Sequence, residues 1–140
     1  MIVLDKIDLT IIDILRKNAR TPYTEIAKKL RLSEAAIRKR IDKLVRLGVI
    51  RRFTIDVSLE NEIKAIILVK VNPPTPVSEV SKKIIKFNGV DVVYEITGDH
   101  DIAVIVHGQS MLEINKYIDM IRDIKGVAGT NTMIVLRAWY

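Results

Sequence analysis

A three-residue break at Arg31-Leu32-Ser33 constrains this chain more than any other feature. Apolar residues recur at helical spacing on both sides of it. Before it, Ile26, Ala27 and Leu30 share one face of a helix of about nine residues that opens at Thr21-Pro22. Thr21 suits the cap of that helix. Pro22 suits its first turn, where no backbone N–H is needed. After the break, Ser33 is a good N-cap and Glu34 complements the dipole of the helix behind it. That helix runs to Leu47, and Gly48 supplies a left-handed stop. At about 100° per residue, Ile37, Ile41 and Leu44 fall within a narrow arc. Ala35, Lys39, Asp42, Lys43 and Arg46 lie opposite, with Arg38 at their edge. A short helix, a tight turn and a second helix that is apolar inward and cationic outward form the pattern of a helix-turn-helix.

An earlier helix is expected from about Lys6 to Asn18. Asp5 and Asp8 open it, and Leu4, Ile7, Ile11, Ile12 and Leu15 make its apolar stripe. The charge is concentrated in the same region. Residues 1–60 hold 14 Lys and Arg against 8 Asp and Glu, whereas residues 61–140 hold 9 of each. The whole net charge of +6 therefore belongs to the first part. A basic segment on an otherwise neutral chain points to a polyanion. Taken alone, such a run also fits a solvated helix face.

The major groove of DNA, about 12 Å wide, admits one helix, whose N-terminal residues meet base edges. Here those residues are Ser33, Glu34, Ala35, Ala36, Arg38 and Lys39. The alanines allow close approach and contact with thymine methyls, and Arg38 or Lys39 suits guanine. Arg40, Lys43, Arg46, Arg51 and Arg52 suit phosphate, which positions without specifying.

Val49 to Val57 is expected as a strand leaving the head, followed by the polar stretch Ser58-Leu59-Glu60-Asn61-Glu62. The division is then a head over residues 1–50, a linker strand over 51–62 and a second domain over 63–140. In the second domain, Ile63 to Val71 reads as a buried strand ended by Pro73-Pro74-Thr75-Pro76. A helix over Val77 to Phe87, strands over Val90 to Thr97 and Ile102 to His107, a helix capped by Ser110, and a last strand within Val127 to Trp139 follow. The order βαββαβ is the ferredoxin-like pattern. The fold class is thus α+β: a winged-type helix-turn-helix domain followed by a ferredoxin-like sensor and oligomerisation domain. Two helices cover one sheet face only, and the strands are too apolar to leave the other wet, so a second copy should cover it. Trp139 and Tyr140 are expected to reach that partner or to cover the core.

Three stretches together resemble the Lrp/AsnC (feast/famine) family of transcription regulators. The first is Leu4-Asp5-Lys6-Ile7-Asp8 leading to Ile14-Leu15. In the head they are Glu25 to Leu30, Leu32-Ser33, Ile37 to Ile41 and Gly48-Val49-Ile50. In the second half they are Gly89-Val90, Thr97 to Asp101, and Gly126-Val127 before Thr130-Asn131-Thr132. The likeness runs end to end and looks nearest to the archaeal lysine-responsive regulators of lysine biosynthesis genes. His100 departs from it, standing where the family usually has an aromatic residue. The resemblance implies a DNA-binding head, an amino-acid effector (lysine foremost), homodimers and often octamers. Carried over, the effector residues are Gly98, Asp99, His100, Asp101, Thr130 and Thr132. The chemistry is compatible. An α-ammonium wants a carboxylate, which Asp99 or Asp101 offers, and a tight turn at Gly98 exposes amides to a carboxylate. Without the resemblance, Gly98 to Asp101 reads simply as a hairpin turn.

Other functions fit less well. The chain has no cysteine and only two histidines, His100 and His107, with no third metal ligand at suitable spacing. It has no phosphate-cradling glycine loop and no nucleophile motif, so neither an enzyme nor a metal or cofactor site is expected. The longest apolar runs are five residues, so no membrane span is expected, and Asp5 and Asp8 break up any secretory signal. A cytoplasmic location follows. The alternative reading is an effector-independent DNA-packaging protein, against which the sensor-like second half argues.

Overall fold

The computed structural model describes residues 3–140. It divides into two compact units, Met1–Val57 and Ser58–Tyr140.

The first unit holds α1 (Lys6–Lys17), α2 (Tyr23–Leu30) and α3 (Glu34–Arg46). Their apolar stripes meet in one cluster, with Ile11, Ile26, Ile37 and Leu44 fully buried and Ile41 nearly so. Helix α1 begins with a capping box. The Asp5 carboxylate accepts from the Asp8 N–H at 2.8 Å, and the Asp8 carboxylate accepts from the Asp5 N–H at 3.3 Å. Helix α2 starts one residue later than its sequence suggests. Pro22 holds the cap position with no side-chain bond, and the Thr21 hydroxyl instead donates to the Asn18 carbonyl at 2.7 Å. Arg31 ends α2 in the left-handed region at φ 55°, and the Leu32 N–H donates to the Ala27 carbonyl at 2.9 Å. That local bond closes the tight turn. Ser33 caps α3 by accepting from the Ala36 N–H at 3.1 Å.

Residues 49–57 form no strand, contrary to their sequence pattern. Ile55 is 77% exposed, and Phe53 and Val57 are exposed beside it. A strand needs a ladder partner, and none pairs with the would-be wing among the described residues.

The second unit holds β1 (Ile63–Val71), α4 (Val77–Ile84), β2 (Val90–Glu95), β3 (Ile102–Gly108), α5 (Met111–Arg122) and β4 (Val127–Ile134). The order β2-β3-β1-β4 is antiparallel throughout, as the ferredoxin-like pattern requires. Alternate residues of β1 and β3 (Ala65, Ile67, Val69, Ile102, Val104, Val106) are fully buried against Val80 and Ile84 of α4 and Ile114, Tyr117 and Ile121 of α5. The intervening residues Ile66, Leu68, Ala103 and Ile105 are only half-buried. They share the opposite face with the exposed Tyr94 and Met133, their cross-strand neighbours.

Two elements are shorter than their sequences imply. Helix α4 ends at Ile84, not Phe87, and β2 ends at Glu95, not Thr97, while β4 fills Val127 to Ile134 of the stretch expected to hold it. β4 stops because β1, its ladder partner, begins at Ile63, and the last rung joins the Val135 N–H to the Lys64 carbonyl. Leu136, Trp139 and Tyr140 are almost fully exposed, so the aromatic end of the chain does not cover the core.

Glycines at two positive-φ sites should respond differently to alanine. At Gly48 (φ 71°) an added Cβ meets nothing, so G48A should lose only the backbone preference, about 1–2 kcal/mol. At Gly89 (φ 80°) it would collide with the Tyr117 hydroxyl and lie 2.8 Å from the His107 carbonyl. G89A should therefore lower stability by more, as read by urea unfolding of the two variants. Equal losses would mean that the sheet yields at Gly89.

Candidate nucleic-acid interface and effector site

In the head, the cap at Ser33 sets where α3 begins, and helical periodicity then decides what each side chain faces. Ser33, Glu34, Ala35, Arg38 and Lys39 are exposed and Ala36 is half-buried. Arg38 is held in place. One of its guanidinium nitrogens donates to Glu34 at 3.0 Å, and the guanidinium lies 5.1 Å from the centre of the Tyr23 ring. It remains 58% exposed, so its remaining donors face water. Lys39 and Arg46 are exposed and have no ion-pair partner among the described residues. Arg51 and Arg52 are exposed just beyond α3.

Arg40 is placed differently. A single guanidinium nitrogen donates to Asp5 and to Asp8, both at 2.7 Å, and Asp8 is 1% exposed. Lys43 approaches the same Asp8 carboxylate at 3.9 Å. The Asp5 carboxyl is held below the usual carboxylate range, first by the Asp8 N–H and then by Arg40, while Arg40 is pushed up chiefly by Asp5. Sequence reasoning missed this cluster, since its partners lie more than thirty residues apart. It also assigned no role to Tyr23.

In the second unit, the turn from Gly98 (φ 111°) to Asp101 joins β2 to β3. Asp99 is exposed, and His100 and Asp101 are half-buried. Asp101 ties the turn to the end of β1. Its carboxylate accepts from the Val71 N–H at 2.8 Å, its own N–H donates to the Val69 carbonyl at 2.9 Å, and Lys70 lies 3.6 Å away. On the other side of β1, Thr130 pairs with Val69 and Thr132 with Ile67. The turn and Thr130 thus flank the same end of β1, while Thr132 lies two residues further along. The Thr130 hydroxyl accepts from Arg122 at 3.0 Å, a partner the sequence did not reveal. His107 bonds Asp91 at 2.8 Å, well along β3 from this turn. No group of three or more His, Cys, Asp or Glu converges on a metal position among the described residues. No helix among them is long and apolar enough to cross a membrane.

Residues 4–45 match the AsnC-type helix-turn-helix domain, and residues 64–140 match the Lrp/AsnC ligand binding domain. The chain belongs to the Lrp/AsnC family. It is 62% identical to the HTH-type transcriptional regulator LysM of Sulfurisphaera tokodaii, over 97% of each chain. It is 61% identical to LysM of Saccharolobus solfataricus, over 98% of this chain and 96% of that one. The solved structure of AsnC from E. coli superposes with a TM-score of 0.75 at 28% identity, over 98% of this chain and 95% of that one. Like these Lrp/AsnC proteins, the chain is a transcription regulator and not an enzyme, with one DNA-binding and one ligand-binding domain.

The lowered Asp5 carboxyl gives the head a pH dependence. A carboxyl lowered on folding stabilises fully above its unfolded value, and the stabilisation is lost as pH falls through the folded one. Backbone amide resonances of α1 to α3, followed from pH 7 to pH 2, should show the head weakening below the ordinary carboxylate range. D5N should flatten that acid limb. An unchanged limb in D5N would place the dependence elsewhere.

Proposed function

We propose that this regulator reads double-stranded DNA with the start of α3 and that an amino acid, lysine foremost, modulates its binding or assembly. The observation that carries the reading is Arg38, braced by Glu34 and Tyr23 at the N-terminal end of a helix whose outer face is cationic. A guanidinium already ordered loses less entropy when it forms a forked contact with guanine. Ser33, Glu34, Ala35, Ala36 and Lys39 complete the base-facing surface. Lys43, Arg46, Arg51 and Arg52 supply phosphate contacts.

Gly98, Asp99, His100, Asp101, Thr130 and Thr132 form the effector site in this reading. Asp101 is already bonded to a backbone N–H and faced by Lys70, so the exposed Asp99 is the better receiver of an ammonium group. Lysine carries two ammonium groups, and Asp99 offers a carboxylate to one of them. The name LysM borne by the two archaeal relatives supports that choice.

A homodimer formed through the half-buried sheet face would cover Ile66, Leu68, Ala103, Ile105 and Met133 and give two recognition helices for a pseudo-palindromic site. Higher assemblies, octamers included, are compatible with it. The cytoplasm is the compartment where such a regulator meets DNA.

A titration of the DNA upstream of the protein's own coding sequence against random DNA, at fixed salt with each amino acid added in turn, tests the function. Site-selective binding shifted by lysine is expected. K39A should weaken binding about tenfold or more, on the scale of one lost base contact. D99N should abolish the lysine response and leave DNA affinity intact. Equal affinity for both DNAs, or a normal response in D99N, overturns the corresponding part. Light scattering tests the assembly: L68D should yield monomers from a wild-type dimer, and a monomeric wild type would sink that surface.

A further inference from the structure

Arg40 lies between Lys39 and Ile41 on α3, but its guanidinium faces the start of α1 and not the outer face of the helix. There it bridges the two carboxylates of the α1 capping box, at 2.7 Å from each. Asp8 is 1% exposed, and a carboxylate removed from water needs donors. It receives two, the Asp5 N–H and the Arg40 guanidinium, and the Lys43 ammonium stands 3.9 Å away. Arg40 bonds both carboxylates directly, and a cation neutralised in this way offers a phosphate little net attraction, whereas the Lys43 side chain is 44% exposed. The neighbouring Lys39 and Arg46 are exposed and unpaired among the described residues.

We propose that Arg40 is a positioning residue: with Asp5 and Asp8 it fixes the angle of the recognition helix on α1, and it is not a phosphate ligand. This rests on the reading of the head as a DNA reader. The packing of α3 on the rest of the head is otherwise apolar, through Ile37, Ile41 and Leu44. Apolar contacts tolerate small sliding and rotation, whereas two short charged bonds to a capping box do not. Base readout needs side chains placed to a fraction of an ångström. The clamp therefore acts on selectivity first and on raw affinity second.

The test uses the full chain and fluorescence anisotropy, with duplexes of upstream and random sequence, across a series of KCl concentrations. The slope of log affinity against log salt counts phosphate contacts and falls by roughly one when one is lost. R40Q should keep the wild-type slope and reduce the preference for upstream over random DNA about tenfold. D8N should do the same, although it makes the head more positive and would tighten binding if charge alone mattered. R40K, which keeps the charge but not the planar guanidinium, should recover part of the preference. D5N, at the exposed end of the clamp, should lose only part of it with the helical signal unchanged, which keeps the test valid if R40Q unfolds. A slope lowered by about one in R40Q, or tighter binding in D8N, overturns the proposal. A wild type with no preference for upstream DNA defeats selective reading itself. The R40Q slope on random DNA still decides Arg40 in that case.

Discussion

The head depends on a buried carboxylate. Its core is small, and it holds three short helices of which none would persist alone in water. Asp8 enters this core at the first turn of α1 and brings Arg40 of α3 with it. Burying an ion pair is a poor way to gain stability, because desolvation offsets most of the attraction. Its advantage is directional. A charged, short hydrogen bond between two helices has one favourable arrangement, and an apolar seam has many. The same carboxylates also cap α1, so helix start and helix placement come from one group of atoms.

The second unit is organised by a different constraint. Its two helices cover one face of a four-stranded sheet, and that face takes every fully buried residue of the unit. The other face keeps apolar residues at intermediate exposure, while residues 61–140 carry no net charge. The net positive charge lies in the head, where long-range attraction to DNA is useful. Net charge is thus confined to the first part of the chain, while exposed apolar residues occur in both units.

Most of the fold was legible because its signals are local. The Ser33 cap, the Arg31 to Ser33 turn, the stop at Gly48 and the βαββαβ order all follow from period and from turn chemistry, which act over a few residues. The errors have a common source. Residues 49–57 alternate as a strand should, yet form none, because a strand is completed by its neighbour and not by its own pattern. The end of β4 within Val127 to Trp139 is not legible for the same reason: only the length of β1 decides where its rungs end. Thr21 was placed as a cap because it precedes Pro22 and is of the right type. Its hydroxyl instead reached back to Asn18, a bond of equal quality only three residues away.

The candidate site was legible in position and less so in partnership. Periodicity puts Lys39 and Arg40 about 100° apart on α3, which already separates an outward side chain from one turned toward the domain. Residue type hid the difference, since both are cations in a basic run. What decides their environment is the pair of carboxylates on α1, more than thirty residues away, and no local pattern carries that information. Asp101 shows the same in the second unit. Its place in a Gly-Asp turn is evident from sequence, but its bond to the Val71 N–H arises only when β3 lies beside β1. A charged residue's role follows from the partner the fold brings to it, so for Arg40 and Asp101 the partner had to be seen before the role was assigned.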